Sequence, residues 1–279
     1  MDWIPGKPQT IEVGGDTLEA LCHGPPPGMA KTIFMLHEGL GCVALWRDFP
    51  ERLSEATGLG VFLWSRAGYG GSDPCGLPRS LDYMRIEGEE KLPRVLDAIS
   101  FQSGFLLGHS DGATIAMHFL GAHEDHRVSG AILLAPHFFV EDESISAISA
   151  ARDAFNGGNL RERLAPYHSD VDVAFRGWNN VWLDPGFRDW DVTETIAYPR
   201  VPILALQGTK DPYGTRAQID VIAEEAYCPV ETRLLRGVRH APHLEATADT
   251  LDTIATFITR VDRLEQFGAD PRQAPSATV

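Results

Sequence analysis

The sequence predicts an α/β fold with a mostly parallel sheet of about eight strands and helices on both faces. Short apolar segments alternate along the chain with longer segments of helical apolar periodicity, which is the pattern of parallel strands joined by crossover helices. One apolar segment also runs into a glycine-flanked turn at residues 108–112, and a helical segment follows it. With 279 residues, of which 43% are hydrophobic, the chain is long enough to bury a large core.

The predicted elements follow in a regular order. Residues 9–23 predict a leading hairpin with Gly14, Gly15 and Asp16 at its turn. Strands are predicted at residues 32–36, 61–64, 105–107, 130–134, 203–207 and 230–235. Helices are predicted at residues 46–56, 83–99, 112–122, 217–226 and 246–260.

Residues 138–199 break this alternation. They hold helical pieces and several aromatic residues but no strong strand candidate. Ligands of open α/β sheets bind beyond the carboxyl ends of the strands, so an insertion there can cover the site. We therefore predict a core of residues 1–137 and 200–267, an inserted helical cap at 138–199 and a flexible tail at 268–279. Most of the aromatic residues are expected in the core of the cap, and Trp178 and Trp182 are predicted to line a substrate cavity.

Charge and composition limit the classes of partner that the protein can have. A net charge of −15 without clustered Lys and Arg argues against nucleic acid and anionic membranes as partners. The sequence lacks a signal-peptide pattern and a membrane-spanning apolar run, which predicts a cytoplasmic protein. The four cysteines have no C-x-x-C spacing, so reduced thiols are expected rather than disulfides or a zinc site.

The turn at residues 108–112 reads Gly108-His109-Ser110-Asp111-Gly112, the G-x-S-x-G pattern of a nucleophile elbow. In such an elbow the serine hydroxyl is exposed on a sharp turn, and the amide of the next residue, here Asp111, points into an oxyanion hole. An elbow centred on Asp111 is the alternative. It would place His109 and Ala113 at the crowded positions, where small side chains are needed on both sides, so the pattern favours Ser110 as nucleophile.

The elbow, the strand order and the following loops resemble the α/β-hydrolase superfamily over nearly all of residues 10–262. That resemblance implies an α/β-hydrolase fold in which a catalytic acid follows a later strand. The strand at residues 203–207 leads into Gly208-Thr-Lys-Asp211, similar to the acid loop of the superfamily, which identifies Asp211 as the acid. Asp211 before proline is also a common turn device. Glu141 and Asp142, after the strand at 130–134, are the alternative positions for the acid.

The resemblance places the catalytic histidine after the last core strand. Residues 236–245 resemble the histidine loop of the superfamily and identify His240 as the base. His243 is expected to be a packing or capping residue at the start of the next helix. The H-x-x-H spacing of the two histidines lacks a third ligand and holds a proline, so no metal site is predicted.

The second donor of the oxyanion hole is expected in the loop at residues 36–41, which is similar to the His-Gly-x-x-Gly loop of the superfamily. We assign this donor to the amide of Gly39. Glu38 departs from the pattern, and a carboxylate there would oppose a developing oxyanion unless it points away, is paired or has another role. His37 is predicted either to contact substrate or to bond backbone. Arg66 and Asp73 in the loop after the next strand are predicted to be structural.

These residues predict a cofactor-independent serine hydrolase with a triad of Ser110, Asp211 and His240, acting on an ester or thioester of a small, partly apolar acid. His137, at the entrance to the cap, is predicted either to contact substrate or to act as a hinge. A carbon–carbon bond hydrolase of β-diketones and a non-catalytic ligand-binding protein are the alternatives. Haloalkane dehalogenase and epoxide hydrolase are disfavoured because they use an aspartate where this chain has Ser110. The expected partner is a small-molecule substrate, and homo-oligomerisation is left open.

Overall fold

A computed structural model describes residues 1–266 and 277–278. Its strands are β1 (Gln9–Val13), β2 (Asp16–His23), β3 (Thr32–Leu36), β4 (Gly60–Trp64), β5 (Gly104–His109), β6 (Val128–Leu134), β7 (Ile203–Gly208), β8 (Val230–Leu235) and β9 (Ala277–Thr278). They form one sheet in the order β1-β2-β4-β3-β5-β6-β7-β8-β9. The leading hairpin is antiparallel, β2 pairs antiparallel with β4, and every later pair is parallel. The predicted α/β fold with a mostly parallel sheet is thus confirmed.

The α-helices are α1 (Phe49–Thr57), α2 (Tyr83–Ile86), α3 (Leu92–Ala98), α4 (Asp111–Ala122), α5 (Asp142–Gly157), α6 (Leu160–Leu164), α7 (Val171–Trp182), α8 (Ala217–Glu225), α9 (Pro242–Glu245) and α10 (Thr247–Gln266). Short 3-10 turns lie at Val43–Trp46, Ala165–Tyr167, Pro185–Phe187 and Thr193–Ala197. Helices α5 to α7 all lie between β6 and β7, within residues 138–199, which we call the insertion.

The central strands are buried on both faces. Along β3, Ile33 and Met35 pack into one hydrophobic cluster with α1 and α10, while Phe34 and Leu36 pack into a second cluster. The second cluster also holds residues of α2 to α4, the insertion and α8. This alternation follows from the two-residue period of a strand, and it explains why the strands read as continuous apolar runs in the sequence.

Two predicted boundaries differ from the structure. The single helix predicted at 83–99 is α2, a π-helical turn at Glu87–Lys91 and α3. Pro93 at the start of α3 has no N–H to continue an α-helical ladder, and a Cβ atom at Gly88 would overlap the backbone oxygen of Ile115 in α4. Of the tail predicted at 268–279, β9 pairs with β8, and the rest lies outside the described residues.

The parallel strands bring their carboxyl ends to one edge of the sheet. The loops after β3, β5, β6, β7 and β8 therefore meet there, and these loops carry the site residues predicted from the sequence.

Candidate active site

Ser110 lies on a strained turn between β5 and α4. Its backbone has φ 53° and ψ −120°, in the left-handed region that side chains other than glycine rarely adopt. A Cβ atom at Gly108 would overlap the backbone of Gly112, and one at Gly112 would overlap the carbonyl oxygen of Leu36. Both glycines are therefore required by close backbone approach, which is the steric reason for the G-x-S-x-G spacing.

Asp211 and His240 form a partly buried hydrogen-bonded pair. Nδ1 of His240 lies 2.8 Å from Oδ2 and 2.9 Å from Oδ1 of Asp211. The carboxylate also accepts bonds from the backbone N–H of Tyr213 and from Nε2 of Gln207. Burial acts to raise the pKa of Asp211, but the bond and charge of His240 outweigh it, so the pKa is lowered and Asp211 stays ionised. An ionised Asp211 holds the proton of His240 on Nδ1, which leaves Nε2 free to act as a base.

Ser110 and His240 line the same cavity. Its volume is about 220 Å³, and its wall comes from the loops at the carboxyl edge of the sheet and from the insertion. The lining residues are Glu38, Gly39, Leu40, His109, Ser110, Asp111, His137, Ile148, Trp178, Trp182, Tyr213, His240 and Ala241. The structure thus brings together the predicted nucleophile, the predicted base and the two residues predicted to supply the oxyanion donors.

The side chain of Asp111 is buried and is hydrogen-bonded within the protein. Its Oδ2 accepts a hydrogen bond from the hydroxyl of Tyr83, and the hydroxyl oxygen of Tyr83 accepts one from Nε1 of Trp182 at 3.2 Å. Burial raises the pKa of Asp111. This chain of bonds connects the first residue of α4 to α7 in the insertion. The backbone N–H of Asp111 lies in the first turn of α4, where N–H groups have no partner within the helix.

The four remaining histidines near the site have different surroundings. His137 and His109 line the cavity, and burial lowers the pKa of His137 to about 3. His243 packs against Trp46, with ring centroids 4.7 Å apart, and burial holds its pKa well below the usual value. The structure does not bring His37 to the cavity. Its Nδ1 contacts the carbonyl oxygen of Glu38 at 2.7 Å, and its Nε2 accepts from the backbone N–H of Arg66 at 3.1 Å.

The alternative acids lie in other networks. Glu141 accepts bonds from Thr215 and Gln218, so it anchors the start of α8. Asp142 pairs with Arg188 on the surface of the insertion. Neither residue lines the cavity.

The two loop residues predicted to be structural contact backbone. Arg66 donates to the carbonyl oxygens of His37 and Glu38, and Asp73 accepts from the backbone N–H of Thr17. Arg66 therefore fixes the loop that holds Gly39.

The sequence prediction did not include several lining residues. Leu40 and Tyr213 each stand two residues or fewer from a predicted site residue, so proximity along the chain was their available signal. Ile148 lies in α5, where its apolar side chain looks like any core residue. The proposed cap residues Trp178 and Trp182 do line the cavity.

No group of His, Cys, Asp and Glu side chains among the described residues is arranged to hold a metal ion. Within the part of the chain that the structure describes, no helix has both the length and the apolar character needed to cross a bilayer.

A family model described as the alpha/beta hydrolase family matches residues 21–253. The chain belongs to this family. Epoxide hydrolase 3 from Siraitia grosvenorii is 28% identical over 130 residues, which cover 46% of this chain and 39% of that protein. This chain therefore matches well under half the length of that relative.

Solved structures share the fold at low identity. Proline iminopeptidase from Mycobacterium smegmatis superposes with a TM-score of 0.70 at 16% identity, covering 93% of this chain and 100% of that one. The esterase RhEst1 from Rhodococcus sp. gives a TM-score of 0.66 at 18% identity, covering 91% and 98% of the two chains. These likenesses at low identity show the fold, and the family model shows the family.

Proposed function

We propose that the protein is a serine hydrolase that cleaves an ester or thioester of a small, uncharged, partly apolar acid. The observation that carries this proposal is the convergence of Ser110 on its strained turn and the His240–Asp211 pair at one cavity. An activated serine nucleophile needs a base with an orienting carboxylate, and this cavity provides both.

The mechanism follows from these groups. Oγ of Ser110 attacks the substrate carbonyl carbon while Nε2 of His240 takes the hydroxyl proton. The backbone N–H groups of Gly39 and Asp111 donate to the oxyanion of the tetrahedral intermediate. His240 then gives its proton to the leaving alcohol or thiol, and the acyl-enzyme forms. Water attacks this acyl-enzyme with His240 again as base, which releases the acid and restores Ser110.

The cavity favours a small and uncharged acyl group. A volume of about 220 Å³ is below the range of roughly 300–1,000 Å³ that ligand pockets usually have. Leu40, Ile148, Trp178 and Trp182 supply apolar walls. None of the lining residues is Lys or Arg, so the cavity offers no lysine or arginine side chain to pair with a substrate carboxylate.

This absence weighs against the carbon–carbon hydrolase alternative, which would want such a group beneath the insertion. The three arginines considered for that role, Arg152, Arg176 and Arg188, pair with aspartates on the surface, and each is about half exposed. Epoxide hydrolysis is the activity named for one relative, but it uses an aspartate nucleophile where this chain has Ser110.

The deciding experiment is labelling with an uncharged fluorophosphonate, followed by peptide mapping, and turnover of short p-nitrophenyl esters and acyl thioesters. We expect an adduct on Ser110 and turnover of short acyl chains. Ser110→Ala is the control and should keep the fold while losing both the adduct and several orders of magnitude in rate.

Absence of an adduct on folded protein would contradict the proposal and favour a non-catalytic ligand-binding protein. Turnover of β-diketones instead of esters would replace the proposal with the carbon–carbon hydrolase.

A further inference from the structure

Glu38 stands next to a proposed oxyanion donor, where an ionised carboxylate is unfavourable. It lines the cavity, and 27% of its side-chain surface is exposed. A Cβ atom at Gly41 would overlap Oε2 of Glu38, so the loop leaves room for this carboxylate. A negative charge here would oppose the negative charge that develops on the substrate oxygen, and its presence requires a compensating group.

His109 is that compensating group. It precedes Ser110, is buried, and has one ring nitrogen near each of two active-site loops. Nδ1 lies 3.4 Å from Oε2 of Glu38 in the loop after β3. Nε2 lies 2.7 Å from the backbone carbonyl oxygen of His240 in the loop after β8. The carbonyl oxygen of His240 is an acceptor, so Nε2 must carry a proton. An unprotonated Nδ1 would turn its lone pair towards a carboxylate oxygen 3.4 Å away, so this ion pair requires a second proton and a positive charge on the ring.

The electrostatics agree with this geometry. Burial acts to lower the pKa of His109, but the adjacent carboxylate of Glu38 outweighs it and raises the pKa. Burial acts to raise the pKa of Glu38, yet the adjacent ring of His109 outweighs it and lowers the pKa well below its usual range. The titratable groups around His109 are Glu38, Asp111, His137, Asp211, His240 and His243. Burial lowers the pKa of both His137 and His243, so they are neutral and do not compete for this charge.

We propose that Glu38 and His109 form a positioning pair in which a positively charged His109 neutralises Glu38 beside the oxyanion hole and holds the backbone of His240. The effect of this pair on catalysis rests on the proposed function, whereas the charge of His109 does not. The pair has no net charge, so the oxyanion donors act without an opposing field. The ion pair with Glu38 and the hydrogen bond to the backbone of His240 connect the oxyanion loop, the elbow and the histidine loop, which fixes the three parts relative to one another.

The charge of His109 is measurable without an activity assay. In protein labelled with ¹⁵N-histidine, the ring nitrogens of His109 are identified by their loss in His109→Gln. We expect both nitrogens to be protonated at pH 7 in the native protein. In Glu38→Gln, burial acts without the opposing carboxylate, so His109 should be neutral at pH 7.

The catalytic test is a double-mutant cycle. An electrostatic role of His109 and a purely structural role predict opposite outcomes for the double variant. His109→Gln leaves Glu38 uncompensated, so kcat should fall on the order of 100-fold, which is also the size of the effect of a misplaced catalytic group. Glu38→Gln together with His109→Gln removes both charges, so the double variant should be faster than His109→Gln.

A neutral His109 in the native protein at pH 7 would overturn the proposal, as would a double variant no faster than His109→Gln. If His109→Gln fails to fold, the ¹⁵N measurement on the native protein and Glu38→Gln still decides the charge, with His109 then identified by elimination among the ten histidines. Failure of the proposed function would appear separately, as a native protein without an adduct on Ser110.

Discussion

The indole of Trp178, in α7 of the insertion, occupies the space that a Cβ atom on Gly39 would need. Such an atom would overlap Cδ1 and Nε1 of the indole. The proposed oxyanion loop and the insertion are therefore in direct contact, and position 39 must be glycine for this contact to form.

We expect Gly39→Ala to displace Trp178 and the loop together, and to lower kcat/KM on the order of 100-fold, since a misplacement of about 1 Å in an active site costs this much. Adding Trp178→Leu makes room for the new methyl group and should recover part of the loss. Steady-state kinetics with a short p-nitrophenyl ester measures both. Gly76→Ala is the matched control, because a Cβ atom there has nothing within 4 Å, and it should behave as the native protein. Equal losses in Gly39→Ala and Gly76→Ala would contradict the steric argument.

The elbow should be intolerant of any side chain at position 112. Gly112→Ala would drive a methyl group into the carbonyl oxygen of Leu36, and we expect a loss of about 3 kcal/mol in unfolding free energy, the upper range for overpacking. Gly157→Ala, at the exposed end of α5 with no atom near its new Cβ, should be neutral or stabilising by up to about 1 kcal/mol. Urea denaturation of both variants makes the comparison. A Gly112→Ala protein with native stability would show that the backbone can relax here.

The identity of the acid can be tested by two asparagine substitutions. Asp211→Asn keeps the shape of the side chain but no longer holds the proton of His240 on Nδ1, so kcat should fall on the order of 10,000-fold. Asp142→Asn changes a side chain that is 84% exposed and paired at the surface, and it should leave kcat unchanged. The reverse outcome would move the acid to the position after β6.

Acid stability should depend on His118 in α4. Burial lowers its pKa to about 4, so the folded state disfavours its protonation while the unfolded chain protonates it near pH 6.5. The unfolded state thus binds more protons, and the unfolding free energy should fall as the pH is lowered from 6.5 to 4.

His118→Gln should remove up to about 3 kcal/mol of this decline in unfolding free energy. This figure is the difference between the unfolded and folded pKa of His118, taken at about 1.4 kcal/mol per pKa unit. The measurement is the difference between native and variant unfolding free energies at pH 7 and pH 4. His126→Gln, at an exposed position on the loop after α4, is the control for replacing a histidine in this part of the chain. Parallel curves for the native protein and His118→Gln would contradict the prediction.

The sheet and the elbow could be predicted from the sequence because both depend on local patterns along the chain. The buried strand β3 coincides with its predicted range, since a strand buried on both faces is a nearly continuous apolar run bounded by turns. Glycine is required at 108 by crowding against Gly112 within the turn itself, so the local G-x-S-x-G pattern predicts the turn. The requirement for glycine at 112 comes from the carbonyl oxygen of Leu36, which the fold brings to the turn.

The residues that share the cavity, and the partner of Glu38, could not be predicted from the sequence. Both depend on contacts that form only in the folded protein. His37 is next to Glu38 and Gly39 in the sequence, but both of its ring nitrogens contact backbone atoms and it does not line the cavity. Glu38 and His109 are 71 positions apart, and their pairing depends on β3 and β5 being adjacent in the sheet. The physical reason is general: a local pattern fixes backbone conformation, whereas the charge and direction of a buried polar side chain depend on partners that distant segments bring to it.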